Sequence, residues 1–404
     1  MNACARANQA RRGAFRLALG AMASLLPIAS ASAADSVEQS ASLLAHHAEM
    51  VDANTSGAVV TVAATAGCPA CEAAADKKKK AELDAAMKGA YKGVFYANSF
   101  AYLNSPLYDG PYFAGDSLKG LMDGKLDFGG EFRSRYHHER NLRGLGLTGV
   151  DDQFWLTRMR MFSNYRVSEN IRVYGEYLYA DSGGENFAPR PIEENRGEIQ
   201  NLFVDATLFD TGDAKLVGRA GRQELLLGEQ RLVSPLDWAN TRRTFDGYRA
   251  TLSGKSNTLD LFYTNPVNRV PATGGTNEWD SSNNNQSFYG AYLSNTSLAK
   301  DFGVSALESY YLGYDNNDQN FSFHTIGSRS AGQGDMFLYE LEGGVQFGDN
   351  ADGSQHDAGF VTAGLGKQLN LQTPTGAWTP TVWAWYDWAS GGDSTLVAPG
   401  DDGF

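Results

Sequence analysis

From residue 125 onward the chain repeats a pattern that few folds can use. Runs of about 8 to 14 residues alternate apolar and polar side chains, and clusters of Gly, Asn, Asp and Pro separate them. A period of two puts successive side chains on opposite faces of a β-strand, and the clusters are turn signals. The pattern predicts thirteen strands: 125–137, 154–167, 170–181, 198–209, 215–227, 244–253, 258–265, 286–295, 303–314, 321–329, 336–347, 357–369 and 379–389. Their two faces differ in chemistry. In 154–167 one parity holds Trp155, Met159, Met161, Tyr165 and Val167, and the other Arg158, Arg160, Asn164 and Arg166. In 336–347 Phe337, Tyr339, Leu341, Val345 and Phe347 oppose Glu340, Glu342 and Gln346.

A soluble sandwich with a solvated face satisfies this alternation too, but the connections argue for a membrane barrel. Loops 138–153, 182–197, 228–243 and 266–285 are long, whereas the turns near Glu169 and at 210–214, 254–257 and 296–302 are short. Outer-membrane barrels put long loops outside and short turns in the periplasm. An Arg or Lys facing lipid at the midplane costs roughly 2–4 kcal/mol, so the arginine-bearing faces belong to the lumen. The fold expected is an all-β, antiparallel transmembrane β-barrel. Thirteen strands leave the last one running outward, where bacterial barrels usually have an even count. Either the final strands of the barrel are expected beyond Phe404, or the pattern hides a strand and thirteen is a miscount.

The N-terminus agrees on the address. Arg6, Arg11, Arg12 and Arg16 precede the apolar run Leu17 to Ala29 and a string of Ala and Ser up to Ala34, as in a secretory signal peptide. Removing it changes the charge from −13 to 30 − 47 = −17. Lys and Arg number 11 before residue 125, 19 from 125 to 265 and 4 after it, against 11, 20 and 16 acids. That balance excludes a generally basic nucleic-acid binder, and no later segment is long enough for a membrane helix. The organisation expected is a signal peptide at 1–34, a low-complexity periplasmic segment at 35–120, helical over Glu72 to Met87, and the barrel from 121 to 404.

Several strings mimic catalytic motifs. Gly144-Leu145-Gly146-Leu147-Thr148-Gly149 matches the dinucleotide fingerprint, but no parallel strand leads in and Asp151-Asp152 follows where a helix is needed. Cys68-Pro69-Ala70-Cys71 lacks the strand-to-helix context of a redox pair. With no Walker A sequence, no His-Glu-x-x-His and no serine elbow, the chain gives no sign of being an enzyme, and neither cofactor nor metal is implied.

One stretch is more specific: Gly221-Arg222-Gln223-Glu224-Leu225-Leu226-Leu227-Gly228-Glu229-Gln230-Arg231-Leu232, followed by Asp237-Trp238-Ala239-Asn240-Thr241-Arg242-Arg243-Thr244-Phe245-Asp246-Gly247. With Arg158-x-Arg160 and Tyr386-Asp387-Trp388-Ala389-Ser390-Gly391 it resembles the alginate-export family of outer-membrane porins, over residues 125–390. The resemblance implies a monomeric barrel that passes an anionic exopolysaccharide through an arginine-lined pore, in contact with outer-membrane lipid and with periplasmic export components, and with no nucleic acid.

The candidate lining is Arg133 and Arg135 on the first strand, Arg158, Arg160 and Arg166 on the second, then Arg172, Arg219, Arg222 and Arg249. Arg231, Asp237, Asn240, Arg242 and Arg243 belong to loop 228–243, which fits either an inward constriction or a plug. Guanidinium is a planar fork that stays charged and matches a carboxylate, while acids such as Glu131 and Glu176 would weaken each contact enough for release. Any one of these arginines equally fits an ion pair bracing the wall. Arg219 and Arg222 have opposite parity, so one lies off the lumen or a bulge intervenes. A general anion- or oligosaccharide-selective porin fits the same residues, and a barrel enzyme or adhesin is the more distant alternative.

Overall fold

Each of the thirteen alternating runs forms a strand in the computed structural model, which describes residues 69–141, 150–269, 279–301, 304–334, 336–374 and 376–391. The signal read at 1–34, Cys68 and the Gly144 to Gly149 string lie outside these. The strands are β1 (Leu126–Glu139), β2 (Asp152–Arg166), β3 (Ile171–Gly183), β4 (Asn195–Asp210), β5 (Ala214–Gln223), β6 (Phe245–Gly254) and β7 (Asn257–Asn268). They continue as β8 (Gln286–Asn295), β9 (Ala306–Asn316), β10 (Phe321–Gln333), β11 (Leu338–Asp349), β12 (Gln355–Gln368) and β13 (Thr381–Ala389). Every strand pairs with the next in chain order, all antiparallel, and β1 and β13 are the edges of the sheet. No helix of the described residues is long and apolar enough to cross a membrane.

The parity reading holds on the wall. Phe132, Trp155, Met161, Tyr248 and Ile326 are exposed on one face while Arg158 and Arg160 on the other are buried. Tyr136 and Trp155, directly paired across β1 and β2, pack at 5.3 Å near the long-loop end, where an aromatic girdle meets the lipid interface.

Three expectations need correction. The fifth strand ends at Gln223, not 227, because Leu225, Leu226 and Leu227 leave the wall and are all buried. The ninth starts at Ala306, not 303, because a short helix, Thr296–Asp301, occupies the connection. Loop length does not sort the two ends throughout: the first four long connections share one end, but 317–320 at that end is a tight turn. There Asn316 Oδ1 accepts from the Gln319 amide at 3.1 Å and Asn320 is left-handed at φ 56°.

Before the sheet, helix α1 (Pro69–Lys88) spans the stretch expected to be helical. The aromatic run after it has no strand period because it folds into 3-10 turns at 95–97, 101–104 and 116–118. Asp116 is the hub of this knot, accepting from the hydroxyls of Tyr102 and Tyr108 and from the amides of Tyr112 and Phe113 at 2.9 and 3.0 Å.

Candidate functional site

The lumen face of the sheet is built by residues of one parity, and two chain segments fold onto it. The first is 224–244, which joins β5 to β6. Its three leucines alternate between two clusters: Leu225 and Leu227 join Val233, Phe245, Phe262, Tyr292, Tyr310 and Leu312, while Leu226 joins Phe162, Tyr174 and Phe203. Burying each such side chain contributes about 1.5–3 kcal/mol, so the segment is clamped across the lumen. The second insert is 93–97, whose Val94 and Tyr96 complete the Leu226 cluster.

Most of the candidate arginines are tied to carboxylates. Arg158 bonds Glu131 at 2.7 Å and Asp237 at 2.9 Å, and Arg160 bonds Glu176 at 2.6 Å with Glu224 at 3.8 Å. Arg166 pairs with Asp127 at 2.9 Å. Arg172 and Arg219 share Asp205, at 2.5 and 2.7 Å. Arg249 pairs with Asp260 at 2.8 Å. Arg231 reaches across to Glu340 and Glu342 at 2.6 and 3.0 Å. Arg242, fully buried, pairs with the equally buried Glu224 and with Asp237. These pairs fix the wall and the inward segment to each other.

Arg219 and Arg222 do not share a cluster. Gly221 (φ 127°) faces Gly247 (φ 157°) across β5 and β6, and a Cβ at Gly221 would sit 2.3 Å from the Leu202 carbonyl oxygen. Only glycine tolerates that conformation and approach. Above this pair of glycines Arg222 is held by Glu198 at 2.8 Å and Asp246 at 2.9 Å, away from the Arg219–Asp205 pair.

Arg133, Arg135 and Arg243 are different: among the described residues none of them forms an ion pair with an acid. Arg133 donates to the carbonyl of Asp237 at 2.8 Å and to that of Ala239, and Arg135 donates to the carbonyl of Trp238 at 2.7 Å. The Nε of each is buried without a partner. Arg243 is exposed, and with Arg231, Leu232, Asp237 and Trp238 it lines a concavity of 540 Å³. Arg269, which the sequence reading passed over, lies near Arg243; burial, then repulsion from Arg243, holds its guanidinium below the ordinary value. Asn240 pins the same loop, its amide donating to the carbonyls of Thr157, Asp181 and Glu193 at 3.0, 3.1 and 2.8 Å.

Other contributors were missed at the sequence level. Trp238, 63% exposed, presents a bare indole beside these cations. Arg329 binds Glu308 at 3.1 Å and Glu229 at 3.0 Å, and its parity with the buried Thr325, opposite the exposed Ile326, was a usable signal.

Burial alone would raise the Asp237 carboxyl, but Arg242 and then Arg158 outweigh it and hold the group below the ordinary carboxylate range. A depressed folded value means that stability is present above the unfolded value of about 3.9 and is lost as pH falls below it. The loop is therefore expected to stay docked, with conductance flat, between about pH 5 and 8, and to loosen only below about pH 4. Single-channel conductance against pH measures this, and a step inside the neutral window would contradict it.

Three outer-membrane proteins are among the solved structures that this chain resembles. A Pseudomonas aeruginosa OpdK structure with vanillate is 11% identical, over 67% of this chain and 70% of that one, with a TM-score of 0.38. A Salmonella typhi OmpF complex with daunomycin is 11% identical, over 65% and 98%, with a TM-score of 0.30. OmpT, an outer membrane protein of Vibrio cholerae, is 10% identical, over 65% and 86%, with a TM-score of 0.29. A search of curated proteins gives no match. The alginate export family matches residues 124–403, the whole of the sheet and its inward segment, and the chain belongs to that family of bacterial outer-membrane β-barrel proteins.

Proposed function

We propose that this outer-membrane channel passes an anionic polysaccharide of the polyuronate type, by diffusion and without chemistry, and that it works as a monomer. The observation that carries the reading is that Arg133, Arg135 and Arg243, none of them in an ion pair among the described residues, lie along the inward segment that presents Trp238. A polyuronate bears one carboxylate per sugar. Arginine forks match that group in charge and geometry, and the indole offers an apolar plate to the C–H face of a pyranose ring. The ion-paired arginines of the lumen face contribute little net charge, so the chain is held weakly there and can move on. The partners under this reading are the polymer, the surrounding lipid and export components on the periplasmic side.

Liposome swelling tests the reading. Vesicles carrying the full chain are expected to admit uronate oligomers faster than neutral oligosaccharides of equal length. Equal rates, or a preference for the neutral sugar, would support a general sugar porin instead.

A further inference from the structure

We propose that residues 93–97 are a plug that closes the arginine side of the lumen at rest. The segment lies outside the family match, which begins at 124. It also lies on the row of arginines expected to line the path. The guanidinium of Arg160 stacks 3.8 Å over the Phe95 ring and that of Arg219 4.3 Å over the Tyr96 ring. Arg172 donates to the Tyr96 carbonyl at 3.0 Å, and Arg242 to the Gly93 carbonyl at 3.0 Å. The Tyr96 hydroxyl closes the seal, donating to the carbonyl of Glu224 on the inward segment at 2.9 Å.

A guanidinium has five donors and two faces, and the carboxylates on these four arginines leave some of both unused. The plug takes up part of that remaining capacity, while Arg160 Nη2 and Arg219 Nη1 keep no hydrogen-bond partner. Without it, Arg160, Arg172, Arg219 and Arg242 would face the lumen beside Glu176, Asp205, Glu224 and Asp237, four cations to four anions. The plug therefore covers a charge-balanced row of arginine ion pairs.

The attachment is suited to movement. The tip has no β-ladder to the wall; it is held by the apolar cluster that Val94 and Tyr96 complete, by ring contacts and by single hydrogen bonds. Its base is the Asp116 knot, anchored by Lys119, which donates to the Phe128 carbonyl, and by the Gly120 amide, which donates to Asp127 at 2.9 Å. The base can stay at the start of β1 while the tip swings out.

The test is conductance of the full chain in planar bilayers in KCl alone, so that its outcome does not depend on which polymer the channel carries. Phe95→Ala with Tyr96→Ala is expected to raise mean conductance by about tenfold, two seal contacts being lost. Tyr96→Phe, which removes only the hydroxyl bond and keeps the packing, is expected to raise the open fraction by about fivefold. Both variants are checked for the shifted gel mobility of a folded barrel. If the double variant fails to fold, Tyr96→Phe decides alone. Conductance unchanged in the folded variants, with only a lower unfolding temperature, would make 93–97 a fixed brace and overturn the proposal.

Discussion

Replacing Arg242 with alanine is expected to destabilise the folded barrel by about 3–5 kcal/mol, because it leaves Glu224 ionised and without its main partner in a place water does not reach. Neither side chain has exposed surface, and the nearest other cation, Arg160, is 3.8 Å from Glu224 and already committed to Glu176. A loss of this size is a large fraction of a typical stability of about 5–15 kcal/mol. The inward segment is expected to detach first, since Arg242 also holds Asp237 and the Gly93 carbonyl. Urea unfolding followed by gel mobility gives the magnitude. Replacing both partners with apolar residues, Arg242→Met with Glu224→Leu, is expected to recover most of the loss. A single-variant loss under about 1 kcal/mol would mean that the pair is hydrated and the lumen less filled than described.

Arg133→Gln with Arg135→Gln is expected to raise the polyuronate concentration that half-blocks the channel by at least about tenfold per arginine, the usual worth of a charge-assisted hydrogen bond. Glutamine keeps a donor toward the carbonyls at 237–239, so the loop should stay seated. Arg222→Gln is the contrast. Arg222 is already neutralised by Glu198 and Asp246, so its replacement should lower stability and leave the block unchanged. Equal effects of both changes on block would show that paired and unpaired arginines serve alike, and the unneutralised group would lose its special role.

The strands were legible because a period of two is a local property: Trp155, Met159 and Met161 against Arg158 and Arg160 needs no knowledge of any partner. The end of β5 was not. Leu225, Leu226 and Leu227 continue an apolar run, and apolar side chains on both faces belong to a segment packed from two sides, not to a wall with one polar face. The exchange of parity between Arg219 and Arg222 was visible, but its cause, two glycines meeting across neighbouring strands, required the register. Ion pairing was hidden for a similar reason. Arg231 meets Glu340 and Glu342 more than one hundred residues away, so a row of arginines reads as bare positive charge until the sheet brings the acids beside it. The plug gave no period at all, since 3-10 turns and ring contacts leave none.

Under the proposed function, this outer-membrane channel attracts an anionic polymer through a few arginines that lack ion-pair partners, on a lumen otherwise balanced in charge. The reversal potential of the full chain in a planar bilayer under a KCl gradient, measured before and after adding polyuronate, tests it most directly. Anion selectivity that the polymer blocks is the expected result. Cation selectivity, or a current indifferent to the polymer, would contradict it.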